Sequence, residues 1–141
     1  MLLFPHELKD QWFFFKKIYV LKSRATNDIF YVGLTTLSLR ETLSCHSSEA
    51  YNESEAYSSP KNERIRKERN YIRIETLFHT SSYAAEWYKL AAIEILSERY
   101  QLTNVQKQIH KYSLVGGRDA YTKIELETRD KLQSSSVFKG S

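Results

Sequence analysis

Residues 17–46 read KIYVLKSRATNDIFYVGLTTLSLRETLSCH, and this stretch decides the fold. Residues 18–22 combine β-branched, aromatic and aliphatic side chains, which suit a pleated, half-buried surface, so a strand is expected there. Residues 23–28 are polar and hold Asn27-Asp28, a turn signal, because Asx side chains bond their own backbone and tolerate left-handed geometry. Residues 29–34 repeat the strand composition, with Gly33 expected to end the strand. Two strands this close in the chain predict an antiparallel hairpin with a loop slightly longer than the tightest kind. Thr35, Thr36 or Ser38 is placed to cap a helix. From Leu39 the apolar positions Leu39, Leu43 and Cys45-His46 carry a weak helical period.

Outward from this stretch the signals thin. Residues 47–60 are rich in Ser, Glu and Tyr and read as a loop or the frayed end of the helix. Residues 61–69, KNERIRKER, hold five basic and two acidic residues and predict a short, exposed, solvated helix. Residues 71–78 alternate, with Tyr71, Arg73, Glu75 and Leu77 set against Ile72, Ile74, Thr76 and Phe78. That predicts a half-buried third strand. A helix is expected over 83–100, capped by Thr80, Ser81 or Ser82, with a broad apolar face from Trp87 to Leu96. Residues 101–108 leave it in an extended turn, and Gly116-Gly117 breaks the chain again. Residues 119–132 mix their periods and suggest a short strand and a helix. The terminal QSSSVFKGS suggests a mobile end. At the other end Pro5 can open a short helix, and Trp12 to Phe15 supply packing groups for an N-terminal extension.

Together these elements predict an α+β protein: a small three-stranded, mainly antiparallel sheet flanked by helices. The central domain spans 17–108, with an N-terminal extension over 1–16 and a C-terminal extension over 109–141. A chain of 141 residues suits a single domain, and a hydrophobic share of 41% can form one core. The ten tyrosines, seven phenylalanines and two tryptophans argue against disorder over most of the length. The net charge of +4 mildly favours a polyanionic partner. The lone Cys45 excludes an internal disulfide framework and a cysteine-based zinc cluster. It reads as a small buried side chain, with no His–Asp arrangement to make it a nucleophile. His6, His79 and His110 have no zinc-site spacing. No run is long enough to span a membrane, and Pro5, Glu7, Lys9 and Asp10 interrupt the apolar start, which makes a poor signal peptide. An intracellular protein, cytoplasmic or associated with the nucleoid or nucleus, is expected.

The order strand, strand, helix, strand, helix, with tyrosines on both hairpin strands, resembles the GIY-YIG nuclease family. Lys17-Ile18-Tyr19 stands where that family has Gly-Ile-Tyr, and Tyr31-Val32-Gly33 stands where it has Tyr-Ile-Gly. The segment from Leu43 to His46 resembles the end of its first helix. Asn104 falls where the family has its late asparagine, so the likeness covers about residues 17–108. The resemblance implies DNA phosphodiester cleavage with one divalent cation, usually Mg²⁺. It also implies a tyrosine that helps to activate water, an arginine on the first helix facing the phosphate, and a glutamate on the later helix holding the metal. The family's presence in mobile-element and viral genomes implies a phage or viral source.

Two positions depart from that pattern. Counting along the family's motifs, the arginine position falls on Thr42 and the glutamate position on Lys89. Threonine supplies no positive charge, and lysine repels a cation. Arg40 lies two residues from Thr42, which turns it roughly 200° around a helix. Glu86 is the nearest carboxylate, about a turn before Lys89. The first reading is a catalytically degenerate domain that binds DNA or another nucleic acid without a metal. There Lys89 fills the cation's place and contacts phosphate, while Tyr19, Tyr31 and Asn104 keep the pocket's shape. Arg64, Arg66, Lys67 and Arg69 would meet backbone phosphates. The second is an active, atypical Mg²⁺-dependent endonuclease using Tyr19, Tyr31, Arg40 and His46, with Glu86 as metal ligand. The third is a protein-interaction module or inhibitor on the same scaffold. A fourth takes the tyrosines as sheet packing alone.

Overall fold

The hairpin forms where the alternating apolar residues require it. A computed structural model describes residues 16–52, 59–69, 71–80, 84–104 and 116–135. Strand β1 (Lys16–Ser23) pairs antiparallel with β2 (Ile29–Thr35), and strand β3 (Ile72–Thr80) pairs antiparallel with the other edge of β1. The strand order is therefore β2-β1-β3. Asn27 turns the connecting loop at φ 64, a left-handed conformation that asparagine adopts at low cost. The turn is closed by Asn27 N–H donating to Ser23 O at 2.8 Å and Ser23 N–H to Asp28 O at 2.9 Å.

Central placement explains the burial of β1. Ile18, Val20 and Leu21 have no exposed surface, because strands cover both edges and helices both faces. One face carries Ile18, Val20, Val32 and Phe78. They pack on Ala92, Ile93 and Leu96 of helix α3 (Ala85–Leu96) and Leu132 of helix α4 (Gly117–Ser134). The other face carries Tyr19, Leu21, Phe30 and Ile72, packed on Ala50 of helix α1 (Leu39–Asn52) and Ile65 of helix α2 (Pro60–Lys67). Each fully buried aliphatic or aromatic side chain contributes about 1.5–3 kcal/mol relative to exposure, so the two faces together hold the fold.

Two register shifts set which side chains share a face. Leu21 pairs with Tyr31 and Lys22 with Ile29, leaving Phe30 as the extra residue, so Phe30 and Tyr31 both meet the α1–α2 layer. Ile18 pairs with Phe78 and Tyr19 with Thr76, leaving Leu77 extra, so Leu77 and Phe78 both meet the α3–α4 layer. This corrects the strict alternation expected over 71–78.

Other expectations are corrected by packing. Helix α1 continues to Asn52, because Thr42, His46 and Ala50 form one buried stripe. Its start is capped by Ser38, whose Oγ accepts from Glu41 N–H at 3.1 Å and donates to Glu41 Oε1 at 3.0 Å. Cys45 is exposed, since it sits beside that stripe and not on it. Helix α2 is not merely a solvated face, because Ile65 is fully buried against the sheet. It opens on Ser59, whose Oγ accepts from Asn62 N–H at 3.2 Å, with Pro60 in its first turn. Helix α3 is shorter than 83–100, and Thr80 ends β3 rather than capping it. Residues 119–132 belong to one helix, α4, whose buried positions Tyr121, Ile124, Thr128 and Leu132 recur at helical spacing. Gly116, at φ 98, supplies the left-handed entry that the Gly116-Gly117 break predicted. α4 thus adds Leu132 to the core on the sheet, and Tyr121 and Ile124 to a second cluster with Leu90 and Ala91 of α3, although it lies in the expected C-terminal extension. The N-terminal extension up to residue 15 and the chain end from 136 lie outside the described residues. Among the described residues, no helix is long and apolar enough to cross a membrane.

Candidate functional site

Tyr19 and Gly33 are register partners across β1 and β2. The Tyr19 ring lies over Gly33 so closely that a Cβ there would meet Tyr19 Cε1 at 2.7 Å and overlap Cζ and Oη. Gly33 is therefore an interior strand residue that makes room for an aromatic ring. It does not end the strand, as its sequence context suggests.

The crossing aims the Tyr19 hydroxyl at α1. There His46 occupies the middle of the buried stripe, and its Nε2 lies 2.6 Å from Tyr19 Oη. Tyr31 completes an aromatic triangle, with its ring centroid 6.3 Å from that of Tyr19 and 5.4 Å from that of His46. Lys61, near the start of α2, closes the group from above. Its ammonium lies 3.0 Å from His46 Nδ1, 3.0 Å from Glu49 Oε2, and 5.4 Å from the Tyr31 ring centroid.

These partners fix the proton positions. An ammonium has donors and no acceptor, so Lys61 donates to His46 Nδ1. A neutral imidazole then carries its proton on Nε2 and donates it to Tyr19 Oη. The hydroxyl proton of Tyr19 is left to point elsewhere. Burial, reinforced by the Lys61 charge and opposed by Glu49, lowers the His46 pKa from 6.5 to about 4, so the ring is neutral at pH 7. Burial first, and then the neighbouring Tyr31 and Glu49, push the Tyr19 hydroxyl well above the usual phenol range. Burial, Glu49 and Glu86 act in the same direction on Tyr31. Both tyrosines are therefore hydrogen-bond donors at neutral pH rather than phenolate bases. Glu49 is held below the usual carboxylate range, first by its hydrogen bond from Lys61.

The remaining candidates fall into two groups. Thr42 lies on the inner stripe of α1 with His46, and its Oγ1 donates to Ser38 O at 2.9 Å and sits 2.9 Å from Thr35 Oγ1. Arg40 is exposed, on another side of the same helix. Glu86 is close enough to Tyr31 to act on its hydroxyl, and its Oε2 is held by Lys89 Nζ at 3.1 Å. Lys89 is therefore an ion-pair partner of Glu86. Asn104 lies on the outer edge of β2, where Oδ1 accepts from Val32 N–H at 3.0 Å and Nδ2 donates to Val32 O at 2.8 Å. With Thr103 N–H donating to Phe30 O at 2.6 Å, it closes an edge that would otherwise offer unpaired backbone. On α2, Arg64 donates from Nε to Glu68 Oε1 at 2.9 Å and lies 5.0 Å from the Phe30 ring centroid. Arg66 donates to Ala50 O at 2.6 Å, near the end of α1. Lys67 and Arg69 are exposed.

Lys61 and Glu49 complete the site without having been picked out in the sequence. Glu49 has a local signal, since it follows His46 by three residues once α1 is extended past His46. Lys61 has none. Its place depends on α2 packing Ile65 beside the Tyr31 strand.

The resemblance implies a divalent cation, and the carboxylates near the tyrosines bear on that expectation. Such an ion needs several oxygen ligands, whereas each carboxylate near the tyrosines is already held by an ammonium, Glu49 by Lys61 and Glu86 by Lys89. Among the described residues, no three His, Cys, Asp or Glu side chains gather as a metal-ligand set. Compared with protein-family models, curated proteins and solved structures, the chain matches none.

Proposed function

We propose that this chain is a nucleic-acid-binding domain of GIY-YIG-like architecture that does not carry out metal-dependent cleavage. One observation carries the reading: Glu49 and Glu86, the two carboxylates whose charge acts on the Tyr31 hydroxyl, each hold a lysine, at 3.0 and 3.1 Å. A site that keeps its tyrosines while neutralising its carboxylates suits an anion better than a cation. Tyr19 and Tyr31 offer hydroxyl donors, and Lys61 and Lys89 supply positive charge, as a backbone phosphate requires. His46 acts as a positioning residue. Its Nε2–H holds Tyr19 Oη and leaves the phenol proton directed away from the imidazole.

The test is a pair of measurements on the intact chain. Gel shift or anisotropy with duplex and branched DNA is expected to show binding that weakens steeply with salt, because phosphate contacts release counterions. Plasmid and branched-DNA incubation with Mg²⁺ or Mn²⁺ is expected to show no nicking. Metal-dependent cutting abolished by Tyr19→Phe would overturn the reading in favour of an active nuclease. Absence of binding at low salt would overturn it in favour of a protein partner.

A further inference from the structure

Tyr71 immediately precedes β3 and is 55% exposed. A single exposed aromatic residue is ordinary in itself, and its surroundings set this one apart. The Arg24 guanidinium lies 5.8 Å from the Tyr71 ring centroid, and Arg24 N–H donates to Tyr71 O at 3.1 Å. The β1–β2 loop is thus strapped to the start of β3, with a cation on the ring. Arg69 and Arg73 flank Tyr71 two residues to either side, and both are exposed. The turn holding Arg69, at φ 51, is fastened by Tyr71 N–H donating to Glu68 O at 2.9 Å.

Nearby carboxylates are engaged away from this ring. Glu68 accepts from Ser23 Oγ at 3.0 Å and from Arg64 Nε at 2.9 Å. Glu75 pairs with Lys22 at 3.5 Å and with Arg73 at 3.7 Å, yet the Arg73 side chain remains 52% exposed. Among the described residues, no carboxylate lies within ion-pair distance of Arg24 or Arg69. The result is an exposed aromatic ring with one guanidinium 5.8 Å from its centroid and two further exposed arginines two residues away along the chain. Ser23, the partner of Ile72, is four residues along β1 from Tyr19, so this surface lies roughly 13 Å from the tyrosine–histidine site at about 3.3 Å per residue.

We propose that Tyr71, framed by Arg24, Arg69 and Arg73, is a stacking platform for an unpaired base of single-stranded nucleic acid. The guanidinium groups would hold the phosphates on either side. Every base offers a π-face to an aromatic ring, and the adjoining cations neutralise the backbone, so the surface takes a single strand without reading its sequence. A duplex would use the cations but keeps its base faces stacked internally. An acidic peptide would use the cations and leave the tyrosine ring without a role. This inference rests on the nucleic-acid-binding reading above and assigns it a second surface and a strand preference.

The experiment is fluorescence anisotropy at low salt with a short labelled oligothymidylate and a hairpin-closed duplex. Tyr71→Ala is expected to weaken single-strand binding roughly tenfold, the scale of one lost base–aromatic stack, while changing duplex binding by less than about twofold. Tyr71→Phe, which keeps the ring, is expected to retain the single-strand affinity. The side chain is exposed, so an unchanged thermal melt establishes that each variant folds. Unchanged single-strand binding by Tyr71→Ala, or equal losses on both probes, overturns the platform. Duplex binding with no single-strand binding overturns the platform alone, whereas no binding to either probe overturns the nucleic-acid reading with it.

Discussion

The Tyr19 ring of β1 crosses Gly33 of β2 with no space for a Cβ between them. This contact joins the two tyrosine motifs into one site, since it also points Tyr19 Oη at His46. Gly33→Ala is expected to displace the ring, break the 2.6 Å contact with His46, and destabilise the fold by about 1–3 kcal/mol, the usual cost of overpacking. Urea unfolding measures it. Pairing Gly33→Ala with Tyr19→Leu, which removes the phenol ring, is expected to cost less than the sum of the single changes. Full additivity would show that the two residues do not interact.

His46 makes stability depend on pH in a defined direction. Its folded pKa of about 4 lies below the ordinary 6.5, so the unfolded chain takes up a proton first as the pH falls. Stability is therefore lost between about pH 6.5 and 4, by on the order of 2–3 kcal/mol. His46→Gln is expected to flatten the slope in that window, and the difference between the two proteins isolates the histidine from the carboxylates. Lys61→Met removes one of the causes of the depression, so an NMR titration is expected to show the His46 pKa rising in that variant. In the wild type, long-range proton–nitrogen spectra should find the neutral ring protonated on Nε2. A proton on Nδ1 would contradict the assigned bond from Lys61.

Asn104 is expected to behave as a structural residue. Asn104→Ala removes both bonds to Val32 and leaves the outer edge of β2 less protected, at a cost of about 1–3 kcal/mol. The folded variant should bind DNA with wild-type affinity. A large affinity loss with an unchanged melting temperature would instead assign Asn104 to the nucleic-acid contact.

Glu86→Gln separates binding from cleavage. If the site holds phosphate, removing this charge releases Lys89 from its 3.1 Å pair and strengthens DNA binding by roughly two- to fivefold, the scale of one part-exposed ion pair. If Glu86 serves a metal ion, the same change abolishes cleavage and leaves metal-free binding unaltered. Anisotropy and a nicking assay on the same preparation distinguish the two.

The sequence by itself determined the hairpin, the third strand and the principal helix on the far face of the sheet. Their signals are local: β-branched runs, Asn27 at a left-handed turn, and a broad apolar face from Trp87 to Leu96. The family resemblance singled out Tyr19, Tyr31 and His46, which the fold brings together, and Arg40, which lies exposed on another side of α1. Tertiary structure decided the remainder. The residue skipped in each register shift, Phe30 or Leu77, depends on what the opposing helices bury, and period-two patterning carries no such information. α4 emerges as one helix because Tyr121, Ile124, Thr128 and Leu132 find a surface to cover. Only the packing of α2 brings Lys61, fifteen residues after His46, to its imidazole. Strand and turn preferences act over a few residues, whereas the charge on a buried ring is set by whatever the chain folds against it.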